Sequence, residues 1–185
     1  MDPKDRNAPP PPAPSFNHAQ PGQPGGLPEP LRDNLRVREP GGFRQGEVVF
    51  RLALVVGAFV HANRLGTVVV ATGFKLADNP EMVRAPAIAF VRHDRVPRPS
   101  PWGHAELAPD LVVEVTAPDD RLAPVLAKVA DWLTAGTRLV WVIDADRQAV
   151  HVYRADGSAA ALGPADVLSG EDVLPGFAVP VSEIV

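Results

Sequence analysis

Leu111-Val112-Val113-Glu114-Val115 is the stretch on which the fold is decided. It is a near-continuous apolar run, and its apolar residues fall on both alternating faces of an extended chain. A strand of that kind is buried on both sides, as in a sheet covered by helices. Pro118-Asp119-Asp120 punctuates the chain after it. Leu122, Val125, Leu126, Val129, Trp132 and Leu133 then recur at helical spacing, and Gly136 is placed to close that helix. Arg138-Leu139-Val140-Trp141-Val142-Ile143 reads as a second core strand. Ala149-Val150-His151-Val152-Tyr153 reads as a third, joined to it by the turn Asp144-Ala145-Asp146-Arg147.

Toward the N-terminus, Val48, Leu52, Val55, Val56, Phe59 and Val60 predict a helix over 45–63, with Glu47 in its first turn, where a carboxylate suits the helix dipole. Arg64-Leu65-Gly66 ends it. The β-branched run Thr67–Val70 is a strand, Phe74–Leu76 a shorter one, Ala77–Pro80 a turn, and Ala87–Val91 another strand. Arg92–Leu107 is a long polar, proline-rich loop. Asp156-Gly157 signals a hairpin, and the remainder is loop and short strand. Helix, strands, strand, helix, strand, strands is an α/β order: a mixed central β-sheet flanked by helices.

Residues 1–42 stand apart. They hold half of the chain's 22 prolines, including Pro9–Pro12, and their apolar residues are sparse. Such a segment buries too little surface to offset the entropy of ordering, so a disordered leader is expected ahead of a folded domain at 43–185. Leu31–Val37 is the one part with the makings of a short docking strand.

Composition narrows the function. The 185 residues contain no cysteine, which excludes disulfides, thiolate metal sites and cysteine nucleophiles. The most apolar stretch, Val48–Val60, is interrupted by Arg51 and is shorter than a membrane span requires, so no membrane partner is expected. Met1–Arg6 lacks the apolar core of a signal peptide, so a cytoplasmic location is expected. The formal net charge of −4 argues mildly against tight DNA binding by a monomer. His18, His61, His93, His104 and His151 show no metal-ligand spacing, no serine lies in a nucleophile elbow, and no phosphate-binding glycine loop is present. Trp102, Trp132 and Trp141 read as loop cover and core.

Glu114 is the informative residue. A carboxylate inside a buried strand is costly unless paired or metal-bound. Asp110 shares its face, but four residues of strand separate the two by about 13 Å, so Asp110 reads as a cap at the start of the strand. Lys128, between Leu126 and Val129, either extends to solvent or points at Glu114 as an ion pair.

The run Ala108–Val115, then Lys128 with Trp132-Leu133 and Gly136, then Val140–Asp144, and finally Asp172-Val173-Leu174-Pro175-Gly176-Phe177, resembles the restriction endonuclease domain family of the Uma-type proteins. The resemblance runs through 43–185 and implies a PD-(D/E)xK nuclease-like core. It implies phosphodiester hydrolysis of nucleic acid, DNA first, at a Mg²⁺ or Mn²⁺ centre, with a homodimer for duplex cleavage. Glu114 matches the family's glutamate, as catalytic residue and metal ligand. The Val115 carbonyl would be a further metal ligand, and Lys128 matches the family's catalytic lysine. One position departs. The family's Pro-Asp pair reads Pro86-Ala87 here, so one of two carboxylates is missing. The histidine that relatives often carry at the start of the first helix falls at Arg44 or Gln45. Activity then requires another acid, such as Glu47, Asp78 or Glu81, in the site. Without one, the chain is a catalytically inactive binding or interaction module.

Overall fold

In the computed structural model the described residues are 42–78 and 81–185; the leader and its docking strand lie outside them. Helix α1 spans Phe43–Ala62 and is followed by β1 (Gly66–Val70), β2 (Phe74–Asp78), β3 (Glu81–Arg84) and β4 (Ile88–Arg92). Then come β5 (Leu111–Thr116), α2 (Leu122–Thr134), β6 (Leu139–Asp144), β7 (Ala149–Arg154) and β8 (Ala159–Leu162). β9 (Val167–Ser169), β10 (Ala178–Pro180) and a 3-10 turn at Val181–Glu183 end the chain.

Six strands form one sheet in the order β1-β4-β5-β6-β7-β8. β5 and β6 are parallel, in register from Leu111 opposite Leu139 to Thr116 opposite Asp144, and every other pair in this sheet is antiparallel. The parallel pair is the centre expected from the unbroken apolar run. Its connection carries α2 across one face, because a parallel return needs a crossover.

Alternation along β5 sorts the core into two layers. Leu111, Val113 and Val115 pack with Val48, Leu52, Val56 and Val60 of α1 and with Trp141, Ile143 and Phe177. Val112 packs on the opposite face with Val125, Val129 and Trp132 of α2 and with Val140 and Val142. Phe177, from the C-terminal segment, stacks on Trp141 at 5.8 Å and meets Phe59 edge-on at 5.3 Å, closing the α1 side.

Several expectations are corrected. α1 starts at Phe43, so Glu47 lies beyond its first turn, which holds no acid. The chain turns later than Ala77: β2 runs to Asp78 and pairs with β3, which periodicity over so few residues did not reveal. Trp102 is fully exposed and covers nothing. Finally, α1 is long and apolar enough to cross a membrane by length and composition alone: it has 20 residues, and an 18-residue window of it, with Glu47 and Arg51 inside, has a mean hydropathy of 1.3. Only 22% of its most apolar window is buried. Gly136, with φ +105°, does close α2: its N–H and that of Thr137 bond back to Leu133 and Trp132. Gly157, with φ +84°, occupies the β7–β8 hairpin as read.

Candidate active site

Glu114 projects from β5 toward α2 and is 6% exposed. Burial on this scale demands partners. The Trp132 indole N–H donates to Glu114 Oε1 at 3.1 Å, and Lys128 Nζ lies 4.0 Å from Oε2. Lys128 and Trp132 are four residues apart, so one helix face delivers both to the same carboxylate. The sequence brought Glu114 and Lys128 together correctly. It missed Trp132, although the spacing from Lys128 was the signal that finds it.

The Val115 carbonyl has a partner of its own. Gln45, in the first turn of α1, donates its side-chain amide to that oxygen at 2.6 Å. Gln45 shares the buried stripe with Val48 and Leu52, and this is why it reaches the end of β5. Arg44 bonds elsewhere, to the Ala145 carbonyl at 3.0 Å. Gln45 is therefore the residue at the helix start that meets the site.

Ala87 immediately precedes β4. Ile88 pairs with Val113, so one more step of the antiparallel register sets Ala87 beside Glu114 on the neighbouring strand. Its methyl group is half-buried against the α1-side core. The three acids considered as replacements are not brought here. Glu47 is exposed and, two residues from Gln45, sits about 200° around the helix from it. Asp78 and Glu81 face each other at the far end of the β2–β3 hairpin, four strand steps, about 13 Å, beyond the Phe74–Arg84 pair that leads to Ala87.

Asp110 is a structural group, as its spacing indicated. It is buried, accepts the Arg92 backbone N–H at 2.9 Å, and is bridged by Arg95 at 2.7 Å. Asp144, opposite Thr116 in the register, has its carboxyl held below the usual range. Burial pushes it up, but the backbone N–H and guanidinium of Arg147 outweigh that.

A Mg²⁺ or Mn²⁺ ion needs several hard oxygens converging on one point. The site offers one carboxylate, engaged by Trp132 and Lys128, and one carbonyl, engaged by Gln45. No group of three or more Asp, Glu, His or Cys is placed to share an ion among the described residues. The donor set as arranged does not fit a divalent-metal centre. Among the described residues, positive charge is also partly neutralised: Arg84, Arg92, Arg95, Arg138, Arg147 and Arg154 each bridge a carboxylate. The first 41 residues carry five basic and five acidic side chains, so the net charge of −4 rests on the remainder.

Comparison with known proteins agrees with this architecture. The chain is similar to the crystal structure of a "putative nuclease belonging to DUF820" from Anabaena variabilis, with a TM-score of 0.70 and 20% identity, over 78% of this chain and 81% of that one. No curated protein matches. The family model described as "Uma2: Putative restriction endonuclease" matches residues 20–182, so its match begins inside the proline-rich segment. With nearly the whole chain matched and an α/β nuclease-like sheet, this protein belongs to the Uma2 family of restriction-endonuclease-like proteins.

Proposed function

We propose that this chain is a nuclease-fold domain whose phosphodiesterase centre is disabled and which binds nucleic acid, duplex DNA first, without cutting it. The observation that carries the reading is the engaged donor set: Glu114 held by Trp132 and Lys128, the Val115 carbonyl capped by Gln45, and alanine at position 87. In the intact arrangement implied by the resemblance, two carboxylates would hold Mg²⁺ or Mn²⁺. Here the second carboxylate is a methyl group. What remains is a neutralised pair and an indole, which stabilise the fold, and among the described residues no second carboxylate joins them to hold an ion that activates water. The internal pairing of six arginines supports weak, salt-sensitive DNA binding rather than tight association. The cytoplasm, where such a ligand is accessible, is part of the same reading.

A second reading, residual metal-dependent endonuclease activity, is favoured by one observation: Glu114 and Lys128 remain within reach of each other. Supercoiled plasmid separates the two. The natural chain, Ala87→Asp, and Ala87→Asp combined with Gln45→His are incubated with Mg²⁺ and then Mn²⁺. The disabled reading expects no nicking by the natural chain, nicking by one of the variants, and a low-salt mobility shift of DNA by all three. Nicking by the natural chain that Glu114→Ala abolishes would establish the active reading instead.

A further inference from the structure

α1 is apolar on both sides. Its inner stripe, Val48, Leu52, Val56 and Val60, is buried in the core. A helix covering a sheet ordinarily turns a polar face outward. Here the outer face carries Phe43, 86% exposed, Phe50, 71% exposed, and Leu54, 60% exposed. At 100° per residue, these three lie within about 40° of one another and form a straight ridge. Gly46 and Gly57 flank the ridge on one side, and a Cβ added at either meets nothing within 4 Å. Glu47 and Arg51 flank it on the other.

We propose that this face of α1 is the interface with a second copy of this chain, packed antiparallel about a two-fold axis at Phe50. A two-fold interface must be self-complementary. With the axis at Phe50, each residue meets the one equally far on the other side of position 50. Phe43 of one copy then lies over Gly57 of the other, Leu54 lies over Gly46, and the two Phe50 rings meet at the axis. Large side chains therefore face glycine on both helices. The same operation keeps the charged flank on one side, and sets Glu47 of each copy within two residues of Arg51 of the other. Shape and charge agree on one register. This is what selects a second copy over an unrelated partner.

Exposed aromatic side chains of this size contribute roughly 150–200 Å² each. The three ridge residues thus supply about 400 Å² per copy, and the stems of Glu47 and Arg51 add to it. The total, about 800 Å² over both copies before those stems are counted, lies below the roughly 1,200 Å² at which specific stable interfaces begin, which describes a weak, reversible dimer rather than an obligate one. The interface does not depend on whether the site cuts DNA.

Sedimentation equilibrium of the full chain, from about 1 to 100 µM, reads the proposal directly. The expected result is a reversible monomer–dimer equilibrium. Phe50→Glu is expected to give monomer throughout with an unchanged thermal melt, since the side chain is 71% exposed. Swapping both charges, Glu47→Arg with Arg51→Glu, keeps the pairing and is expected to keep the dimer, whereas Arg51→Glu alone weakens it. The chain has no cysteine, so Phe50→Cys supplies a second, independent measurement. Mild oxidation is expected to cross-link Phe50→Cys to its own copy rapidly and Ser158→Cys slowly or not at all. A full-length chain that stays monomeric at 100 µM, a dimer that survives Phe50→Glu, or cross-linking no faster at position 50 than at 158 would each overturn the proposal. Loss of the soluble protein to neutral lipid vesicles, abolished by Phe50→Glu, would assign the ridge to a membrane surface and overturn it equally.

Discussion

Placing a carboxylate at position 87 tests the reading of the site without relying on catalysis. Ala87→Asp adds a negative charge on the strand beside Glu114. Neighbouring strands lie about 5 Å apart, but Glu114 turns toward α2 while position 87 lies against the α1-side core, so the two carboxylates come within roughly 8 Å. At an effective dielectric constant of about 20, two unit charges at that distance repel by about 2 kcal/mol. Lys128 offsets part of this, and position 87 is only half-buried, so a net destabilisation of about 1–2 kcal/mol is expected in metal-free buffer. For a domain of this size, that lowers Tm by about 3–6 °C. The same pair of carboxylates is what a divalent ion seeks. At a concentration 100 times its Kd, Mn²⁺ would add about 2.7 kcal/mol, raising Tm by roughly 8 °C. The natural chain has one engaged carboxylate and is expected to show no shift. Differential scanning calorimetry with EDTA, Mg²⁺ and Mn²⁺ measures all six states. A natural chain that gains several degrees with Mn²⁺, or a variant that gains none, refutes the account of the site.

Two further outcomes follow from the same geometry. Trp132→Phe removes the indole N–H from a buried carboxylate and leaves a small void. A loss of about 2–4 kcal/mol in urea denaturation is expected, and less when Glu114→Leu has already removed the acceptor; additive losses would mean that the hydrogen bond is not formed. Asp144→Asn is expected to destabilise the protein by about 1 kcal/mol at neutral pH. Because the folded carboxyl titrates below its usual value of 3.8, the natural chain holds that advantage fully above this value and loses it as pH falls through the lower folded value. Denaturation midpoints of the two proteins should therefore converge as pH falls below 3.8, and a constant gap would exclude the Arg147 contact as the cause.

The centre of the fold was legible because the residues that fix it are adjacent in sequence. Leu111–Val115, the α2 stripe and Leu139–Ile143 announce a buried strand, a helix and a buried strand, and Gly136 marks the boundary between the last two. β3 was missed because four residues, Glu81–Arg84, are too few for alternation to show, and the proline before them reads as a turn. Within the site, Glu114 was visible as a charge where none belongs. Lys128 followed from helical phase. Gln45 was noted as a departure, but its contact was not foreseen, because a hydrogen bond spanning 70 positions leaves no local trace. The start of α1 was misplaced for a related reason. Phe43 is exposed and contributes nothing to the inward stripe from which the helix was read.

The strand–helix unit that runs from β5 into α2 holds Glu114, Lys128 and Trp132 within 19 consecutive residues, at the middle of the sheet. Those side chains serve the architecture whether or not any reaction occurs. Position 87 lies just outside a strand, and Gln45 at the tip of a helix, where substitution is structurally inexpensive. Tolerance is therefore distributed unevenly across the cleft. Loss of chemistry would be absorbed first at its margins, while the interior half would persist as scaffolding. A buried acid with a neighbouring lysine is consequently a poor marker of turnover in folds of this kind, and the residues at the rim are the ones to inspect.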